Sequence, residues 1–293
     1  MKSGEVIRYI RLSKKLKAKS VYANILSRPA ISKFEKGISD TTTDKLFEIL
    51  DNLNITLEEF YFIYNIDKVK EENIFLQEYF ESFYSANIEK LLIIRNNSKK
   101  AFDKTNKIKN LHYSALADLT ISYISQKEVN SESLEVLKKY LIECEEWNYY
   151  ELILFTNALD FFSEDLILLL FKRAKKKLVS FRQIRKYNNE VFVLVLNILI
   201  FFIEKNDIEK SSFFYNELLN STSETNNKMY EKTMIIFLNY LLQIMKTKRE
   251  STNEVEKIIS IFNFLNMPLK AKQCSLLHET VKSNNLTSSV NNS

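Results

Sequence analysis

The feature that most constrains this chain is its shortage of glycine. Its 293 residues include two glycines, Gly4 and Gly37, and two prolines, Pro29 and Pro268. No glycine follows residue 37. Tight two-residue hairpins depend on positive-φ residues, glycine first among them. A β-rich domain needs many such turns, so about 250 residues without a glycine predict an all-α protein.

The length fits two domains, or one small domain followed by a repeat array, and 45% hydrophobic residues is ordinary for a globular chain. The most apolar run, 191–203, is broken by Asn197 and bounded by Glu190 and Glu204. A membrane span needs about 20 apolar residues, so this run predicts a buried core helix and no membrane partner. The basic N-terminus is not followed by the apolar stretch of a signal peptide, which predicts a soluble, cytoplasmic protein. Cys144 and Cys274 are far apart and lack C-x-x-C spacing. They read as free thiols in a reducing compartment, neither zinc ligands nor a disulfide framework. His112 and His278 are isolated, with no metal-ligand pattern around them. No cofactor is implied.

Charge is unevenly placed. Residues 1–37 hold ten Lys or Arg against Glu5 and Glu35, a net +8 in a chain whose total is +5. That concentration is the electrostatic footprint of nucleic-acid binding. At its end stands S-R-P-A-I-S-K-F-E-K-G, residues 27–37. Ser27 is a candidate N-cap, Pro29 falls in a first helical turn where its missing N–H is harmless, and Gly37 is a left-handed stop. Ile31 and Phe34 share one face, which leaves Arg28, Lys33 and Lys36 outward.

Helices are expected at 4–17, 20–26, 27–37, 43–53 and 56–64, the last opened by the capping box Thr56–Glu59. Five short helices with the basic one third form a helix-turn-helix domain over 1–65, its third helix reading the major groove. From residue 67 the texture changes to longer helices, read at 69–85, 87–96, 106–126, 132–145, 149–161, 163–180, 187–205, 207–220, 227–247, 252–266 and 268–283. The starts at 106, 149, 187, 227 and 268 give a period near 40, a helical-repeat signature. Asn87-Ile-Glu-Lys and Asp207-Ile-Glu-Lys echo each other 120 residues apart. The expectation is a regulatory repeat domain over 66–284, a right-handed TPR-like α-solenoid lined inside by the first helix of each pair. A polar tail, 285–293, follows.

Asn157, Asn197 and Asn239 recur 40 and 42 residues apart, each amid apolar neighbours. A buried, unpaired amide is costly. Such a row either binds the backbone of an extended peptide or bonds neighbouring helices within the array. Trp147, Tyr149 and Tyr150 read as packing between repeats. The basic run 172–177 reads as a solvated second-helix face, with a second DNA-contacting surface as the alternative.

Residues 1–65 resemble the XRE-type helix-turn-helix domain, and more closely that of the Rgg/GadR/MutR transcriptional regulators. The resemblance rests on I-S-K-F-E-K-G at 31–37, L-D-N-L-N-I-T-L-E-E-F at 50–60, and E-E-W-N-Y-Y-E-L-I-L-F at 145–155. It implies a DNA-binding regulator that dimerises through its repeat domain on a partly palindromic operator. It also implies that Glu35 pairs with Arg11 to hold the motif, and that the asparagines serve a short peptide pheromone. The residues expected at DNA are Arg8, Arg11, Lys14, Ser27, Arg28, Ala30, Ser32, Lys33 and Lys36; those at peptide are Asn157, Asn197, Asn239 and Tyr240. The chain departs from the family at Ala30, where a Gln is frequent, so a bidentate contact to adenine is not available there, while contact with a thymine methyl stays open. Thr41-Thr42-Thr43 stands where some relatives carry a cross-linking cysteine.

Competing functions are a helix-turn-helix regulator answering a non-peptide signal or a protein partner, and a repeat-domain adaptor. An enzyme is not expected: no phosphate-cradling glycine loop, catalytic triad spacing or paired-histidine motif is present.

Overall fold

The computed structural model describes residues 1–65, 74–180, 185–221, 228–248 and 252–290. Every regular element among these residues is helical. The chain divides into two compact units, Met1–Phe80 and Glu81–Ser293.

The first unit contains α1 (Ser3–Ser13), α2 (Ala18–Tyr22), α3 (Arg28–Glu35), α4 (Thr43–Asn52) and α5 (Leu57–Tyr64). Val6, Ile7 and Ile10 line one face of α1 and are buried with Val21, Tyr22, Phe34, Ile49, Leu50, Leu53 and Phe60. Truncating a fully buried phenylalanine such as Phe34 costs about 3–5 kcal/mol, so each helix is held mainly by this shared core. The Thr56–Glu59 capping box is present, with Glu59 N donating to Thr56 Oγ1 at 3.1 Å and Thr56 N donating to Glu59 Oε2 at 2.7 Å.

α1 and α2 are shorter than the apolar pattern implies, because the backbone turns left-handed at Lys15 (φ 56°) and Asn24 (φ 64°). The same device ends most helices of this glycine-poor chain. Lys15 N donates to Leu12 O and Leu16 N to Arg11 O, the paired bonds of a Schellman motif. Equivalent pairs close helices at Gly37, Asn54, Ala86, Gln126, Asn206 and Asn266, each with positive φ. Asparagine tolerates this conformation better than other non-glycine residues, so it takes the place of glycine at several helix ends.

α6 (Ile74–Tyr84) crosses the division between the units. The expected boundary at 65–66 adjoins residues 66–73, which lie outside the described ones. The second unit continues with α7 (Ile88–Thr105), α8 (Ile108–Ile124), α9 (Ser131–Glu143), α10 (Tyr149–Ala158), a 3-10 turn (Leu159–Phe161), α11 (Glu164–Ser180), α12 (Arg185–Glu204), α13 (Ile208–Ser221), α14 (Met229–Thr247), α15 (Thr252–Phe264) and α16 (Pro268–Val290). Sequential helices pack as hairpins, and alternate helices pack side by side: α8 on α10, α10 on α12, and α14 on α16. That is a helical-repeat array built of two-helix units. The echo between residues 87–90 and 207–210 is a shared helix start: Asn87 Oδ1 accepts from Lys90 N at 3.0 Å, and Asp207 Oδ1 from Lys210 N at 2.9 Å.

Two helices outrun their predicted ends. α7 continues through Asn96-Asn97-Ser98 to Thr105 because Leu91, Ile94 and Ser98 are buried along it and its stop is left-handed Asn106. α16 continues into the polar tail as far as Val290, with Asn285 Nδ2 donating to Ile244 O at 3.1 Å. The apolar run 191–203 lies in α12, where Phe192, Leu194, Leu199, Phe202 and Ile203 are buried. No helix among the described residues is long and apolar enough to cross a membrane.

Candidate functional site

The basic helix α3 is held at its C-terminal end. Gly37 adopts φ 66°, with Gly37 N donating to Phe34 O at 2.8 Å and Ile38 N to Lys33 O at 2.9 Å. Gly4 lets α1 close onto this end: a Cβ there would stand 1.8 Å from Phe34 O. The chain's two glycines therefore serve one junction. Lys2 Nζ adds a bond to Gly37 O at 2.7 Å. At the start of α3, Ser27 has cap backbone geometry but its side chain makes no cap hydrogen bond, unlike the expected pattern. One donor a cap would meet is absent, because Pro29 in the first turn has no N–H.

Behind α3, Arg11 Nε and Nη2 donate to Glu35 Oε1 and Oε2 at 2.7 and 2.8 Å. Tyr22 OH donates to Glu35 Oε1 at 2.7 Å, and Arg11 Nη1 to Leu16 O at 2.9 Å. Burial by itself would raise the Glu35 carboxyl, but the bonds from Arg11 and Tyr22 outweigh it and the net direction is down. The Tyr22 hydroxyl is raised, by burial first and then by its bond to Glu35. This network ties α1, α2 and α3 together and sets the angle at which α3 is presented.

Two of the residues expected at DNA are engaged within the unit instead. Arg11 has all its guanidinium nitrogens engaged inside the motif and only 11% of its side chain exposed. Lys14 turns away to α4, where its Nζ donates to Leu53 O at 2.8 Å and Asn54 O at 3.1 Å, capping that helix. The spacing of basic residues along α1 does not reveal which carbonyls lie in reach. Arg8, Ser27, Arg28, Ser32, Lys33 and Lys36 are exposed, and Ala30 is half-buried. Arg8, Arg28, Ser32 and Lys36 line one groove of about 590 Å³, together with Lys19 and Leu12. Lys19 is the lining cation that the sequence reading passed over.

In the second unit the segment 145–155 joins neighbouring repeats. Trp147 is buried edge-on to Phe155, ring centroids 5.6 Å apart. Asn148 N donates to Glu151 Oε2 at 2.8 Å, starting α10. Tyr149 OH donates to Glu190 Oε1 on α12 at 3.0 Å. Tyr150 OH and His112 Nδ1 on α8 are 2.7 Å apart, and Tyr140 OH on α9 donates to Glu151 Oε1 at 2.6 Å. His112, isolated in the sequence, is thus buried between helices. Burial pushes its ring down to about 4, against a smaller opposing effect of Glu151, so the fold holds it neutral. Its partner is 38 residues away, too far for local spacing to reveal.

Asn157, Asn197, Asn239 and Tyr240 are half-buried on α10, α12 and α14. Asn157 Nδ2 donates to Ile153 O of its own helix at 2.7 Å. The side chains of Asn197 and Asn239 bond no other described residue. None of the three bonds a neighbouring helix, so their role as ties within the array finds no counterpart among the described residues. Of the basic run 172–177, Lys172 is exposed, Arg173 Nη1 donates to Ile142 O, and Lys175 pairs with Glu217 at 2.7 Å. The side chains of Lys176 and Lys177 lie outside the described ones.

Residues 7–60 match the helix-turn-helix family, and residues 89–276 match the C-terminal domain of the HTH-type transcriptional regulator Rgg. Similar folds occur in solved structures. A protein from Listeria monocytogenes EGD-e described as a transcriptional regulator is 22% identical, with 97% of this chain and 98% of that one covered at a TM-score of 0.83. The SHP pheromone receptor Rgg2 of Streptococcus dysgalactiae is 23% identical, with 95% and 99% covered at 0.75. PrgX in its complex with cCF10 is 14% identical, with 96% and 92% covered at 0.68. With a basic helix-turn-helix unit at one end and the regulatory-domain match spanning most of the repeat array, the chain belongs to the Rgg family of helix-turn-helix transcriptional regulators.

Proposed function

We propose that this regulator binds a partly palindromic operator as a homodimer and is controlled by a short peptide held on the inner wall of its repeat domain. It catalyses no reaction. Arg28, Ser32 and Lys33 on α3 reach base edges, with Ala30 against a thymine methyl, while Arg8, Ser27 and Lys36 meet phosphates. The observation that carries the peptide reading is the recurrence of half-buried amides on α10, α12 and α14, 40 and 42 residues apart in sequence, of which Asn197 and Asn239 have no partner among the described residues. An amide has both a donor and an acceptor, which matches a peptide backbone. The likeness to Rgg2 and PrgX, one a pheromone receptor and the other solved with cCF10, supports the same reading.

The test has two steps. An operator is first selected from randomised duplexes with the full-length protein. Synthetic peptides encoded by small open reading frames near the selected sites are then titrated into the complex. A peptide that binds at micromolar concentration and changes operator affinity or transcription supports the reading. Control of the operator by a protein partner or another small molecule, with no peptide bound, would replace it.

A further inference from the structure

Lys14 and Lys15 are neighbours with opposite fates. Lys14 Nζ is engaged at Leu53 O and Asn54 O. At Lys15 the backbone turns left-handed (φ 56°), and its side chain lines a hollow of about 540 Å³ instead. The stretch that follows alternates. Leu16 and Ala18 pack against the core of the unit, while Lys15, Lys17 and Lys19 are exposed. Lys17 and Lys19 line the same hollow as Lys15. None of the three ammoniums makes a hydrogen bond or ion pair among the described residues.

This hollow is continuous with the face that carries α3. It shares Lys19 and Ala23 with the groove of about 590 Å³ that Arg28, Ser32 and Lys36 line. That groove shares Arg8, Leu12 and Lys36 with a third hollow of about 500 Å³ beside Tyr9. Three concavities joined through common walls make one channel, from the start of α1 past α3 to the turn between α1 and α2. The two acids along it are both engaged: Glu5 Oε2 accepts from Lys2 N at 2.7 Å, and Glu35 holds Arg11 and Tyr22. The channel keeps the positive charge of Arg8, Arg28, Lys36 and the three lysines, over an apolar floor of Leu12, Leu26 and Ile31.

A sugar-phosphate strand matches both features. Deoxyribose has C–H surface to lie on the floor, and duplex DNA offers one phosphate per ~3.4 Å of axis on each strand. We infer that one operator strand runs beyond α3 along this channel, and that Lys15, Lys17 and Lys19 hold its phosphates. This rests on the operator reading above and extends the DNA contact from α3 to the turn between α1 and α2. Contacts of this kind fix the register of a protein on the duplex and carry no sequence preference of their own.

The test uses the full-length protein, the selected operator and a random duplex of equal length. In the triple variant Lys15→Gln, Lys17→Gln, Lys19→Gln, the fall of log affinity with log salt should become shallower by about 0.9 for each contact, or about 2.7 in all. Between about 50 and 200 mM salt the parent should then lose roughly 40-fold more affinity than the variant. At fixed salt, operator and random duplex should weaken by the same factor, because the lost contacts are to phosphates. Each single substitution should flatten the slope by about 0.9. Lys45→Gln, at an exposed lysine of α4 that lines none of the three hollows, should leave it parental. Ethylation of operator phosphates should weaken the parent at positions where it no longer affects the triple variant. A parental slope in the triple variant, or a loss confined to the operator, would overturn the channel and leave operator binding in place. Absence of sequence-selective binding by the parent would overturn both.

Discussion

At the residue scale, Glu35 has the clearest consequence. Its carboxylate is held by Arg11 and Tyr22 and its folded pKa lies below the ordinary value. A depressed carboxyl contributes stability that is present above the unfolded pKa, about 4.3, and lost as pH falls through the folded pKa. Melting of the helix-turn-helix unit should therefore be insensitive to pH near neutrality and weaken in acid below about 4.3. Glu35→Gln should cost about 3 kcal/mol at pH 7, because Arg11 is left buried without its charge partner, and should remove part of that acid dependence; thermal melts across pH decide it. The asparagines make the opposite prediction. Asn197 and Asn239 hold nothing among the described residues, so Asn→Ala there should leave the melting temperature near parental. Peptide affinity should fall about 5- to 150-fold, the equivalent of about 1–3 kcal/mol for a lost hydrogen bond to a ligand backbone. Lowered melting temperatures with parental peptide affinity would remove them from the site. Asn157→Ala should have the smaller effect on binding, since that amide already donates to Ile153 O.

At the element scale, helix ends govern how this chain is built. Ala86 sits at φ 50° in a Schellman motif between α6 and α7, with Ala86 N donating to Phe83 O and Asn87 N to Ser82 O. A Cβ in that conformation is strained by about 1–2 kcal/mol, which glycine relieves at some cost in chain entropy. Ala86→Gly should raise stability by about 0.5–1 kcal/mol, read as a higher denaturant midpoint; an unchanged or lower midpoint would count against the assigned cap. Gly4 works in the other direction. Its replacement by Ala would force α1 away from Phe34 O, 1.8 Å from the added carbon, and tilt α3.

At the scale of the whole molecule, the operator-binding reading predicts a steep salt dependence. The logarithm of affinity should fall linearly with the logarithm of salt, by about 0.9 per phosphate contact. Arg8→Ala should weaken binding to all duplexes alike and reduce the slope by about 1, whereas Arg28→Ala should relax sequence preference. Lys14→Ala should lower stability and leave the slope unchanged, because its ammonium caps α4. Two copies on a palindrome require a dimer; light scattering of a monomer at micromolar concentration, with and without operator, would contradict that part.

Much of this was legible before any coordinate. Absent glycines forecast an all-helical chain, the N-terminal charge marked the helix-turn-helix unit, and a period near 40 with its 87–90 and 207–210 echo outlined the repeats. Those features are local or periodic, and the rules that make helices, caps and amphipathic faces act over a few residues. Only the tertiary structure decided where each side chain ended. It drew Arg11 inward to Glu35, turned Lys14 to the end of α4, and joined His112 to Tyr150 across two helices. The partners of a long side chain are whatever the packing of distant helices brings within about 3 Å of its polar atoms, and nothing in the spacing along the chain encodes that distance.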